Sequence, residues 1–345
     1  AKESAEAASE SILTANACIC TIRNIISAVS KKKDLLESIE KEVYPSILFS
    51  LTPKGIEYLE DSLDWAILLV YHRQTISENM WSLYYHMIKI AIGNENDEIE
   101  STDGGFGFEF LPIMVSFFQN CIAYGADAFF NYTKEGETPL SLLTKSMGKI
   151  LQIDKNIGEI KESSVAVMKL IGTILENCTG KVDNLLPEFL KLFYNELEEK
   201  PSKIYKSAVL QAFSMWFVYN THLTYSCLND LGYTDYLLTT FFSSIKDFKK
   251  TYELRRVLYG VASILKNDPR NAPDLLKNEI TNLMNIVVVL ISTYVKAKEK
   301  EINDEVKEAD QMKQISNKGF EDMEEYRNLI TKLQQLKDND NKLFS

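Results

Sequence analysis

The sequence predicts an all-α fold: an α-solenoid of antiparallel helix hairpins, with no sheet. Three observations carry this. Helix breakers are scarce, with 14 glycines and 8 prolines in 345 residues, roughly half the usual share of about 12%. Apolar residues recur at steps of three and four, and no stretch sustains an alternation of period two. The breaks between stripes are short and polar, so two consecutive helices with their turns span about 35–47 residues, the period of helical-hairpin repeats. Hydrophobic residues make up 45% of the chain, ample for a core and too many for a disordered chain.

The stripes follow in order. Ile12, Ala15, Ile19, Ile22, Ile26 and Val29 form one apolar face of a first helix. Ile56, Leu59, Leu63, Ile67 and Val70 form another, as do Val182, Leu185, Leu186, Phe189, Leu190, Phe193 and Leu197. Leu237, Leu238, Phe241, Phe242, Ile245 and Phe248 come next, then Leu276, Ile280, Leu283, Val287, Ile291 and Tyr294. Breaks are predicted at 30–33, 51–55, 73–77, 93–105, 131–138, 154–158, 179–182, 200–202, 220–233 and 266–273. Short connections force neighbouring helices antiparallel, and a row of hairpins each burying its stripe on the next is a solenoid.

Weak self-similarity accompanies the pattern. Tyr44-Pro45-Ser46-Ile47, Leu111-Pro112-Ile113-Met114 and Leu186-Pro187-Glu188-Phe189 share an apolar residue, a proline and an apolar residue two positions on. Proline inside a helix would kink it. Proline in a first turn is tolerated and would bend nothing. The sequence leaves both open.

Composition excludes several function classes. No apolar run approaches the roughly 20 residues of a membrane span, and no signal-peptide series stands at Ala1. Five scattered cysteines (Cys18, Cys20, Cys121, Cys178, Cys227) read as reduced and intracellular. On that reading the triplets Asn131-Tyr132-Thr133 and Asn177-Cys178-Thr179 match the glycosylation pattern by chance. With 38 basic and 49 acidic residues the net charge is −11. That disfavours nucleic acid and favours basic partners.

Chemistry-bearing constellations are missing. His72, His86 and His222 are far apart and lack neighbours at metal-ligand spacing. Cys18 and Cys20 point about 200° apart on a helix, wrong for one ion, and read as two small buried residues. Gly104-Gly105-Phe106-Gly107 lacks a following Lys-Ser/Thr and is flanked by Asp103 and Glu109, so it reads as a helix-entry loop. The expectation is a protein that is not an enzyme and takes no cofactor or metal. Trp65, Trp81 and Trp216 sit within stripes and read as core.

Charge is distributed unevenly. Glu57, Glu60, Asp61 and Asp64 recur at i, i+3, i+4, i+7, opposite the apolar stripe. Glu95, Asp97, Glu98, Glu100 and Asp103 form an acidic loop with no basic residue. Such clusters are either solvated faces or docking surfaces for basic ligands. Lys203, Lys206, Lys249, Lys250, Arg255 and Arg256 make the other end locally basic. Segment 296–310 alternates in sign, and 320–336 carries another amphipathic stripe through Met323, Tyr326, Leu329, Ile330 and Leu333. The predicted division is a solenoid of about six or seven hairpins over 1–300, a flexible charged connector over 301–318 and a terminal amphipathic helix over 319–345.

The order of segments resembles the C-terminal part of an importin-β superfamily receptor, in the importin-7/importin-8 branch. The residues that carry this are Thr75-Ile76-Ser77-Glu78-Asn79-Met80-Trp81-Ser82-Leu83 and Gly105-Phe106-Gly107-Phe108-Glu109-Phe110-Leu111-Pro112-Ile113-Met114. Val182-Asp183-Asn184-Leu185-Leu186-Pro187-Glu188-Phe189, Tyr252-Glu253-Leu254-Arg255-Arg256-Val257-Leu258-Tyr259-Gly260 and Asn282-Leu283-Met284 follow in the same order. The resemblance implies a fragment of a longer receptor, in keeping with a chain that starts at Ala1 inside a helical pattern. It implies HEAT repeats in a right-handed superhelix, nuclear import of protein cargo and shuttling between cytoplasm and nucleus as a monomer. It also implies regulation by the GTPase Ran, mostly through N-terminal repeats, and contact with phenylalanine-glycine nucleoporins. Members of this branch often carry a strongly acidic C-terminal insert. Segment 296–310, with six acids and four lysines, is a weak version. A HEAT scaffold outside transport, such as a phosphatase regulatory or complex-assembly subunit, is the alternative reading. In the superfamily, second helices of hairpins line the concave side. The acidic residues at 57–64 and 95–103 are thus the candidates for basic cargo.

Overall fold

The computed structural model describes residues 2–93, 105–157, 162–199, 201–267, 270, 272–277 and 280–319. Its helices are α1 (Lys2–Ala28), α2 (Lys33–Ser50), α3 (Leu59–Arg73), α4 (Glu78–Ile92), α5 (Leu111–Gly125), α6 (Ala128–Asn131) and α7 (Pro139–Ile157). They continue with α8 (Glu162–Asn177), α9 (Leu186–Glu198), α10 (Lys203–Leu231), α11 (Thr234–Ser244), α12 (Thr251–Lys266), α13 (Asp274–Lys277) and α14 (Ile280–Gly319). Among the described residues there is no strand, only an isolated bridge between Lys134 and Glu137. The fold is the all-α solenoid that the periodicity predicts.

Among the described residues the helices follow one another as the pairs α2–α3, α4–α5, α7–α8, α9–α10 and α11–α12. Their second helices form a continuous row. α1 packs on α3, α3 on α5, α5 on α8, α8 on α10, α10 on α12, and α12 on α14. Among the described residues α2 packs on α3, α7 on α8 and α9 on α10, whereas α4 packs chiefly on α7 and α11 on α10. Among the described residues these pairs are flanked by α1 and by the short α13 with α14.

Small residues permit the close row. A Cβ on Gly260 of α12 would lie 2.6 Å from the backbone oxygen of Ser214 on α10, so only glycine fits that crossing. Aromatic rings fill the seam between hairpins. Trp81, Tyr84, Phe117 and Phe118 do so near the start, and Phe193, Phe213, Trp216, Phe217 and Phe241 farther on. All three tryptophans are core residues, as their stripes predict.

Entry into several helices follows one device. The 3₁₀ turns Ile56–Tyr58, Phe108–Phe110 and Asp183–Leu185 pass directly into α3, α5 and α9 through the buried leucines Leu59, Leu111 and Leu186. Pro112 and Pro187 therefore sit in first turns, where a missing N–H costs nothing. Pro45 alone of the three lies inside its helix. Gly105, Phe106 and Gly107 form the predicted helix-entry loop. The N–H groups of Gly105 and Gly107 donate to the carbonyls of Ala91 and Ile90 at 3.1 and 2.9 Å, closing the end of α4.

Three expectations are corrected. Of the break predicted at 220–233 only Gly232 and Tyr233 lie outside helix; the rest continues α10, with a kink at Asn220 (φ −165°, ψ 100°). The Asn220 Oδ1 accepts from the Leu223 N–H at 3.0 Å, capping the second arm, and Thr224 Oγ1 donates to the carbonyls of Trp216 and Asn220. Cys18 and Cys20 are exposed rather than buried, because they lie on faces of α1 turned away from its contact with α3. The predicted connector 301–318 continues α14 as helix. Lys298 and Glu301 pair at 2.9 Å, and Lys307 and Asp304 approach to 4.0 Å, the spacing at which alternating charge supports a solvated helix. The terminal segment 320–345 lies outside the described residues.

Candidate functional site

The acidic stripe is a surface feature of the second-helix layer. Glu57 lies on the 3₁₀ turn ahead of α3, and Glu60, Asp61 and Asp64 lie in the first turns of α3. The first three are exposed and Asp64 is half-buried. Asp64 Oδ2 is 3.5 Å from Arg23 Nε of α1, so one of the four carboxylates already has a cation beside it. Acidic groups in a first turn are also stabilised by the helix dipole. Glu95, Asp97, Glu98, Glu100 and Asp103 lie outside the described residues.

A set of buried carboxylates, not marked by the sequence pattern, fixes the joints of the stack. Glu40 of α2 is 3% exposed and accepts from Arg73 at the end of α3 and from the Ser77 hydroxyl at the start of α4. Asp154 of α7 accepts from the backbone N–H and the hydroxyl of Ser164 on α8, at 2.8 and 2.6 Å. Glu196 of α9 accepts from the Tyr205 hydroxyl of α10 at 3.0 Å and pairs with Lys155 of α7 at 2.9 Å. Asp154 and Glu196 sit late in a first helix and Glu40 near the middle of one, and each reaches the beginning of a following helix. These groups set helix positions; paired internally, they are not free for a ligand.

A polar seam also crosses the second helices. Gln119 of α5 donates to Thr173 Oγ1 of α8 at 2.9 Å. Arg256 of α12 reaches back past α10 to Thr173 Oγ1 at 3.1 Å and to Glu176 at 3.2 Å. Arg256 is 8% exposed, so it belongs to this seam and not to the basic surface on which the sequence places it. Gly172 leaves the room, with a would-be Cβ 3.2 Å from the guanidinium.

Several further titratable groups are shifted by their local surroundings. Burial pushes the Cys121 and Cys178 thiols up, Cys178 to about 11, which keeps them protonated and unreactive. Tyr219, hydrogen-bonded to Asp183 and the Val182 N–H, is pushed up to about 12, chiefly by burial. Among the described residues no three His, Cys, Asp or Glu side chains group to hold a metal. No described helix is long and apolar enough to cross a membrane.

His72 and His86 are half-buried, and burial lowers both from the ordinary 6.5. The unfolded chain then binds more protons below that value, so their contribution to stability is lost as pH falls through it. His86→Gln should therefore flatten the decline of Tm between about pH 7 and about pH 5. An unchanged slope would assign the decline to other groups.

No family model matches the chain, and no solved structure matches it significantly. Among curated proteins it is similar to an importin beta-like SAD2 homolog of Arabidopsis thaliana, 22% identical over 286 residues, or 80% of this chain and 26% of that protein. It is also similar to a probable importin-7 homolog of Dictyostelium discoideum, 20% identical over 280 residues, or 80% of this chain and 24% of that protein. The chain thus matches about a quarter of the length of these relatives.

Proposed function

We propose that this chain, which resembles importin-β superfamily receptors over 80% of its length, is a cargo-binding segment of a nuclear transport receptor. The observation that carries the reading is the row of second helices from α1 to α14, each packed on the next. Such a stack deforms at small cost per repeat. Cargo and Ran-GTP then favour different curvatures, and each shifts the affinity of the other by its preference between them. The acidic residues of the α3 region are the contact for a basic cargo, and Glu95, Asp97, Glu98, Glu100 and Asp103 are further candidates by their charge. Phenylalanine-glycine nucleoporins are the second partner, and the receptor shuttles between cytoplasm and nucleus.

Reversing Glu57, Glu60, Asp61 and Asp64 to lysine should weaken binding of a labelled lysine-rich peptide about tenfold or more at low salt and flatten its salt dependence. Glu60 and Asp61 should account for most of this, since Asp64 is already beside Arg23. Unchanged anisotropy titrations would remove the stripe from the cargo surface. Pull-down with phenylalanine-glycine repeats tests the transport role itself, because a scaffold that does not shuttle would ignore them.

A further inference from the structure

At a distance in sequence from the acidic stripe, a pocket of about 300 Å³ opens among α5, α8 and α10. Pro112 and Val115 of α5, Val165 and Ala166 of α8 and Ile204 of α10 supply apolar walls. Ile204 is 72% exposed, a large aliphatic side chain left in water at the mouth. The polar members are Glu162, Lys169 and Ser202. Ser202 is occupied, because its hydroxyl accepts from the Tyr205 N–H at 3.3 Å and caps α10.

Lys169 is different. It is half-buried, and among the described residues no hydrogen bond or ion pair engages its ammonium. Burial, and then the charges of Lys250 and Arg256, lower its pKa, while Glu253 works the other way. The nearby carboxylates are already engaged. Glu253 accepts from the N–H groups of Lys249 and Lys250 at 3.1 Å each and from Gln211, and Glu176 is held by Arg256. Positive charge is thus in local excess beside an apolar pocket, and an unpaired half-buried ammonium is costly until an anion meets it. Glu162 lies on the same helix seven residues back, about 10 Å along the axis. It repels an anion there, so only the Lys169 side of the mouth is favourable; Lys250, whose charge acts on Lys169, lies beyond the pocket lining.

We propose that this groove docks an acidic peptide segment bearing one apolar side chain: that side chain fills the pocket beside Ile204, and its carboxylate flank pairs with Lys169. The site has the opposite polarity to the α3 stripe and does not depend on the basic-cargo reading. Its probe is a fluorescein-labelled Asp/Glu-rich peptide with a single central leucine, titrated against the full chain by anisotropy. The expected result is about tenfold tighter binding than the same peptide with serine for leucine, and about tenfold loss on Lys169→Gln or on Ile204→Ser. Ile204 is exposed, so its variant folds and keeps the test sharp. Reversing Glu57, Glu60, Asp61 and Asp64 should not weaken this binding, which separates the two sites. Equal affinity for the leucine and serine peptides, or full affinity in Ile204→Ser, would overturn the proposal.

Discussion

Glu40→Ala is expected to destabilise the first hairpins by about 3–5 kcal/mol, the cost of breaking a buried ion pair by removing one partner. The carboxylate joins three elements, since Arg73 ends α3 and Ser77 caps α4 through the Met80 N–H. Its loss leaves the Arg73 guanidinium, 13% exposed, with only Glu37 at 3.9 Å. Because stability in a solenoid is carried between neighbours, the damage should stay local. Hydrogen exchange should accelerate in α1 to α4 and remain unchanged in α8 to α12. The double variant Glu40→Ala/Arg73→Met should recover part of the loss, since no charge is then stranded. Uniform acceleration across the chain, or a double variant as unstable as the sum of the singles, would contradict this account.

The second large effect belongs to Trp216. Its side chain is fully buried in α10, 6.2 Å from the Phe193 ring, between helices on either side of the row. Trp216→Ala should cost about 3–5 kcal/mol through lost burial and the cavity left behind. Trp216→Phe should cost much less. The indole Nε1 has no hydrogen-bond partner among the described residues, and removing an unsatisfied buried donor returns about 1–3 kcal/mol against the lost volume. Chemical denaturation of the two variants separates the contributions. Equal losses would mean that the indole nitrogen is satisfied in solution.

Much of the architecture is legible because a solenoid core is local. Leu237, Phe241 and Ile245, or Leu59, Leu63 and Val70, bury one stripe on the adjacent hairpin, so a helical period in the sequence is also a contact in space. The region around Asn220 is misread for a specific reason. Thr221, Thr224, Asn229 and Asp230 look like loop composition, yet the threonine hydroxyls return bonds to carbonyls of the same helix. The polar seam is illegible for another reason. Nothing in the local pattern distinguishes buried Arg256 from exposed Arg255, because its partners Thr173 and Glu176 lie about eighty residues earlier. Of the candidate residues, the α3 stripe is legible because exposed acids recur at helical spacing. The groove beside Lys169 is assembled from three hairpins and has no linear signature.

The length of α14 has a mechanical consequence. Forty residues at 1.5 Å each make a rod of about 60 Å, against about 24 Å for α12 beneath it. Its contact with α12 reaches as far as Glu301, which meets Thr251, so somewhat less than half of the rod extends past that point. A tilt of about 5° at the base moves the far end of the described helix by about 2 Å relative to that contact, so small adjustments in the last hairpin are amplified far from where they arise.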